Sequence, residues 1–156
     1  MDRNIKNNRI DVIPFTAEQL NQNWAENEYI QERIAQLIRN YDSNQIYEIS
    51  PLNTSGVTSY TQNKKTLILC LRKKETDESG NNKLHDINTI IFVVIHELSH
   101  MMNNLWGHKM NFWILFKFML LNACECGIYE PVDYRKYPVY YCGLLLSYNP
   151  LFDTSI

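Results

Sequence analysis

His96, Glu97 and His100 stand in the run His96-Glu97-Leu98-Ser99-His100, directly behind the apolar stretch Ile90-Ile91-Phe92-Val93-Val94-Ile95. Two histidines four apart on a helix are separated by about 400° of rotation, so they project from nearly one face, one turn apart. A single divalent ion can accept both imidazoles, and the glutamate beside the first lies within reach of an ion-bound water. These are the parts of a zinc-activated water with a carboxylate general base. The bland alternative is a buried helix with two hydrogen-bonded histidines, but burying Glu97 without a task is costly.

A catalytic zinc needs a third protein ligand and one open position. His108, in Trp106-Gly107-His108, is the first candidate. Asn103, Asn104 and Gly107 can end the motif helix and turn the chain back. A second helix then starts in Lys109-Met110-Asn111-Phe112-Trp113, with an apolar face at Phe112, Leu115, Phe116 and Met119. Glu125, in Cys124-Glu125-Cys126, is the alternative third ligand.

The motif helix has two available N-caps, Asp86 and Asn88. Upstream, Thr16-Ala17-Glu18-Gln19 is a capping box. The apolar stripe Ile30, Ile34, Leu37, Ile38 and Tyr41 predicts one helix from there to about Asn40. Short strands are expected at Ile10 to Ile13, Gln45 to Ser50 and Gly56 to Thr61. The clearest strand is Thr66 to Lys73, with Leu67, Leu69 and Leu71 alternating on one face. Glu75 to Lys83 reads as a polar loop and Val139 to Tyr148 as a final strand. A tail tyrosine, among Tyr129, Tyr134, Tyr137, Tyr140, Tyr141 and Tyr148, is the expected oxyanion donor, with none singled out.

The region from about Gln45 to Leu121 resembles the WLM-domain and SprT-like metalloproteases. The likeness rests on the β-rich lead-in, the strand at Thr66 to Arg72, the His96-Glu97-Leu98-Ser99-His100 helix, and His108-Lys109-Met110-Asn111-Phe112-Trp113. The resemblance implies an α+β class, a single zincin-like domain. Its small mixed or antiparallel sheet would pack on an N-terminal helix and the motif helix. It implies zinc ligands His96, His100 and His108 with Glu97 as base, and a Phe four residues after the third histidine as the next helix's first core contact. It also implies hydrolysis of proteins, notably proteins trapped on DNA, with substrate pairing along the strand Thr66 to Lys73 as an edge.

With 156 residues the chain is expected to form one domain over 1–156, in which 122–156 extends the matched region. A net charge of −2 gives no general attraction to nucleic acid. Lys64-Lys65, Arg72-Lys73-Lys74 and Arg135-Lys136 are candidate phosphate contacts, set against a solvated mixed-charge surface. Phe112 to Leu121, broken by Lys117, is too short to span a bilayer. The polar start, Met1 to Asn8, has no apolar signal core, so an intracellular setting (cytoplasmic or nuclear) or a virion is expected, without secretion. In such a reducing setting Cys70, Cys124, Cys126 and Cys142 read as buried thiols, with a structural metal site at Cys124, Cys126 and Cys142 as the alternative. Asn53-Thr54-Ser55 matches a glycosylation acceptor, without consequence in a chain that is not exported. Richness in Asn, Ile and Tyr is the bias of AT-rich genomes, including those of some large DNA viruses. The competing function is a zinc-stabilised structural or interaction protein, for example a particle component, which would have no use for Glu97.

Overall fold

Two helices, buried for different reasons, set the frame of the computed structural model, which describes residues 13–52 and 58–156. The expected strand at Ile10 to Ile13, apart from Ile13, lies outside the described residues, as do Gly56 and Val57 and the Asn53-Thr54-Ser55 acceptor. The chain runs α1 (Ala17–Gln22), α2 (Glu28–Asn40), β1 (Ile46–Glu48), β2 (Tyr60–Gln62), β3 (Thr66–Leu69), β4 (Arg72–Thr76) and β5 (Asn82–Leu84). It continues with α3 (Ile87–Met102), α4 (Met110–Glu125), β6 (Val139–Tyr141) and β7 (Leu144–Leu146). This is a mixed helix-and-sheet chain of the α+β class. Among the described residues no helix is long and apolar enough to cross a membrane.

The Thr16 capping box forms as read, each side chain of the Thr16–Gln19 pair taking the other's backbone N–H. The single helix expected beyond it is two. Asn27 accepts from the Ile30 backbone N–H and restarts the helix, so the Asn-rich stretch before it breaks the stripe. Asp86 is the cap of α3, accepting from the Thr89 backbone N–H.

The strand expected over Thr66 to Lys73 is also divided. β3 is the middle of a three-stranded mixed sheet in the order β1-β3-β2, parallel to β1 and antiparallel to β2. Its two neighbours occupy both sets of backbone groups, so it cannot receive a substrate strand. The edge beside α3 is β2. Arg72 and Lys73 belong instead to β4, which pairs with β5 across Asp77–Asn81, where a loop over Glu75 to Lys83 was expected. The expected final strand is a hairpin, β6 with β7, turned at Cys142 and Gly143. Both turn residues have positive φ, 46° and 79°, as a two-residue type I′ hairpin requires.

α4 lies at the centre. Its Phe112, Phe116 and Leu120 pack with Phe92, Val93 and Ile95 of α3 and with Tyr129, Tyr134 and Tyr141 of the tail. Its opposite side, Ile114, Leu115 and Phe118, meets Ala17 and Leu20 of α1, Ile30 of α2 and Ile156. A helix buried on both sides is apolar nearly all round, which is why Phe112 to Leu121 is the most hydrophobic stretch of this region. The interrupting Lys117 is buried too, its Nζ donating to the Asp153 carbonyl at 2.8 Å and pairing with Glu18 at 3.1 Å.

Cysteine chemistry departs from expectation. Cys70, just past β3, is disulfide-bonded to Cys142 in the β6–β7 turn. Cys124 and Cys126 are thiols, half-buried and exposed. With Cys142 in the crosslink, no metal site forms from Cys124, Cys126 and Cys142.

Candidate metal centre

His96 and His100 leave α3 one turn apart, as the i, i+4 spacing dictates. After Met102 the helix stops with Asn103 as C-cap, and the chain turns through Gly107 at φ +86°, a left-handed conformation that suits glycine. That turn brings His108 back over the helix. One potential ligand atom from each of His96, His100 and His108 lies within 4.8 Å of the others. The His100 and His108 Nε2 atoms are 2.9 Å apart. Tetrahedral zinc with Zn–N bonds of about 2.0–2.1 Å sets its nitrogens roughly 3.3 Å apart, so small rotations of these rings would enclose the ion.

The donors suit a cation chemically. Burial, and then the neighbouring His96, His108 and Lys64, hold the His100 pKa down to about 3. Burial and His96 lower that of His108, against a smaller opposing pull from Glu97. Both imidazoles therefore keep a free lone pair at neutral pH. His96 Nδ1 lies 2.8 Å from Glu97 Oε2. A carboxylate only accepts, so Nδ1 carries the proton and Nε2 keeps the lone pair for a metal.

Glu97 is buried, 4% exposed, and held at both oxygens. Thr61 of β2 donates its hydroxyl to Oε1 at 2.9 Å and lies 3.1 Å from the Glu97 carbonyl. The sheet edge thus fixes the carboxylate that the motif supplies. Nothing in the sequence distinguishes Thr61 from other strand threonines.

Two further supports escaped sequence reading. Lys64, in the β2–β3 turn, sends its Nζ to the carbonyls of His100 and Leu105, both at 2.7 Å, and lies 4.6 Å from the centre of the Trp106 ring. It ties the end of α3 to the loop that carries His108. Burial, then the Arg33 charge, lowers its pKa to about 8. Lys64 therefore faces inward, and neither phosphate contact nor a solvated surface describes it. From α2, Gln36 donates to the carbonyls of Met101 and Asn103 at 3.0 and 2.8 Å, and Arg33 to that of Met102 at 3.3 Å. These satisfy carbonyls that a helix end leaves unpaired.

Glu125, the alternative third ligand, is not brought to the three histidines. It lies at the far end of α4, exposed, and accepts from Asn21 at 2.7 Å. Thirteen residues of helix past Phe112 amount to about 20 Å. Among the tail tyrosines, Tyr141 lines the cleft over the histidines, yet its hydroxyl donates to the Cys70 carbonyl and meets Ser59 Oγ. Its proton is committed, so it is not a free oxyanion donor.

The cleft beside the histidines has a volume of about 480 Å³. The geometry defines a three-histidine site with a buried carboxylate alongside, on an α+β frame. The proteins this chain is similar to are viral. It is 34% identical over 103 residues to "Uncharacterized protein R325" of Acanthamoeba polyphaga mimivirus, covering 65% of this chain and 49% of that one. It is 37% identical over 75 residues to "Uncharacterized protein 136R" of Invertebrate iridescent virus 6, covering 48% and 40%. For "Uncharacterized protein 042R" of Invertebrate iridescent virus 3 the figures are 36% over 86 residues, covering 55% and 50%. The chain thus spans half or less of the length of these relatives. No protein-family model matches it, and no solved structure does.

Proposed function

We propose that this protein is a zinc-dependent endopeptidase of zincin type, akin to the WLM-domain and SprT-like metalloproteases. The reading is carried by one observation: the ligand atoms of His96, His100 and His108 converge within 4.8 Å, with the Glu97 carboxylate held beside them at the cleft. His96, His100 and His108 would hold the zinc, which would supply Lewis acidity toward a scissile carbonyl and an attacking water. Glu97 takes the proton of the attacking water and returns it to the leaving amine. Thr61 and His96 orient its two oxygens and leave each a second acceptor position for that proton. Among the described residues β2 is an edge strand, and its outer edge is the place for an extended substrate to pair, in the role first expected of the strand at Thr66 to Lys73. The resemblance extends the substrates to proteins bound to DNA, and the similarity to viral proteins supports a role during infection. The Cys70–Cys142 disulfide fits a protein that spends part of its life in a particle.

A purely structural zinc site closes with four protein ligands. Here the described residues supply three, beside a cleft, which favours catalysis over a stabilised scaffold. Zinc-loaded protein is expected to cleave an unfolded polypeptide such as casein, to stop when a chelator removes the metal, and to resume when zinc is returned. Cleavage indifferent to the chelator, or none by zinc-loaded protein, contradicts the proposal.

A further inference from the structure

We infer that the disulfide-clasped hairpin β6–β7 forms one wall of an apolar side-chain subsite, so that a polypeptide is selected by a bulky apolar residue beside the cleaved bond while the Cys70–Cys142 bond is intact. This rests on the metalloprotease reading above. Phe92 and Val93 precede His96 by four and three residues, so they share its helix face, one turn toward the N-terminus. They line the cleft next to the metal centre, and Tyr141, Leu144 and Leu146 of the hairpin line it too, with Tyr141 packed in the same cluster as Phe92 and Val93. The register pairs Tyr141 with Leu144 and Val139 with Leu146, which places these residues on one hairpin face. Tyr140 and Leu145 form the other pair, on the outer face, with Tyr140 78% exposed.

The charged groups of the cleft sit at its histidine end. Glu97 is tied to Thr61 and His96, and Lys64 to two carbonyls. Away from that end the polar lining is hydroxyl, Thr58 and Ser59, so a charged side chain would lose water and meet no opposite charge, whereas an apolar one gains by burial.

The wall is seated in the core by Tyr141, with Val139 and Leu146 packed against it, and it is fastened as well. Among the described residues β6 and β7 pair only with each other, and a lone two-stranded hairpin is marginal in water. Two attachments hold it to the end of β3: the Cys70–Cys142 bond, and the Tyr141 hydroxyl on the Cys70 carbonyl and Ser59. Cys142 is half-buried, so a reductant has access, and His85 Nε2 lies 3.3 Å from its sulfur. A phosphine reductant attacks one sulfur and releases the other as thiolate, and water then displaces the phosphorus-bound sulfur. The phosphine becomes its oxide, and each sulfur receives one proton.

The test uses zinc-loaded wild-type protein and two peptide hydroxamates that differ only in carrying a benzyl group or hydrogen beside the hydroxamate. The benzyl compound is expected to bind about tenfold or more tighter. After phosphine reduction in excess zinc, with two new thiols confirmed by alkylation, the preference is expected to fall below about threefold, while binding of the hydrogen compound holds. Leu146→Asp is expected to abolish the preference without reduction. Equal binding of the two compounds, or none, overturns the subsite. A preference that survives confirmed reduction overturns the clasp. A preference in a protein that cleaves no polypeptide leaves the subsite standing and removes the peptidase reading.

Discussion

Glu97→Gln is expected to keep the zinc content and unfolding midpoint of the wild type while polypeptide cleavage falls by about a thousandfold. The side chain is nearly isosteric, and the site can absorb the amide. Its oxygen can accept from His96 Nδ1–H, now 2.8 Å from Oε2, and its NH2 can donate to the Thr61 hydroxyl oxygen. Thr61 then turns its proton fully to the Glu97 backbone carbonyl, already 3.1 Å away. Nothing buried is left unpaired, so the structural cost is small. What disappears is a group able to accept a proton. Zinc content by mass spectrometry, thermal unfolding and casein hydrolysis read the three quantities together. Cleavage within about tenfold of wild type would show that Glu97 is not the base.

The second large effect is expected at Phe112, whose ring backs all three histidines. Its centroid lies 5.0 Å from that of His96, 4.2 Å from His100 and 4.9 Å from His108, with the His100 ring stacked on it. It is fully buried and also meets Phe116 and Trp113. Phe112→Ala removes that support and leaves a cavity, at a cost of about 3–5 kcal/mol in urea unfolding of the metal-free protein. Zinc affinity, read by competition with a chelating dye, is expected to fall by roughly tenfold or more, because the ligands lose the surface that orients them. Phe112→Leu should recover most of both. An alanine variant unchanged in zinc affinity would mean that the three rings are placed without Phe112.

How much of this was legible in the sequence follows from how local each feature is. The motif, its helix and the return of the chain to His108 are set by short-range sequence and appear as read, and of the two caps weighed, Asp86 and Asn88, the structure uses Asp86. The placing of Phe112 four residues after His108 is of the same kind. Glu125 looked reachable only while the length of α4 was unknown; an unbroken helix to Glu125 carries it away. Whether Thr66 to Leu69 is an edge or a centre depends on its pairing with β1 and β2, which alternation along one strand cannot report. The Cys70–Cys142 bond joins residues 72 apart, and spacing does not give connectivity. Lys64 and Thr61 were illegible for a related reason. Each is an ordinary residue type whose task comes from the element it meets across the fold.

Whether His96, His100 and His108 hold zinc is tested most directly by the zinc bound per chain in wild-type, His108→Ala and Glu125→Ala proteins purified side by side. About one zinc per chain is expected in the wild type and in Glu125→Ala, with a loss of most of it in His108→Ala. Zinc retained in full by His108→Ala, or absent from the wild type after loading, would contradict the three-histidine centre and with it the proposed chemistry.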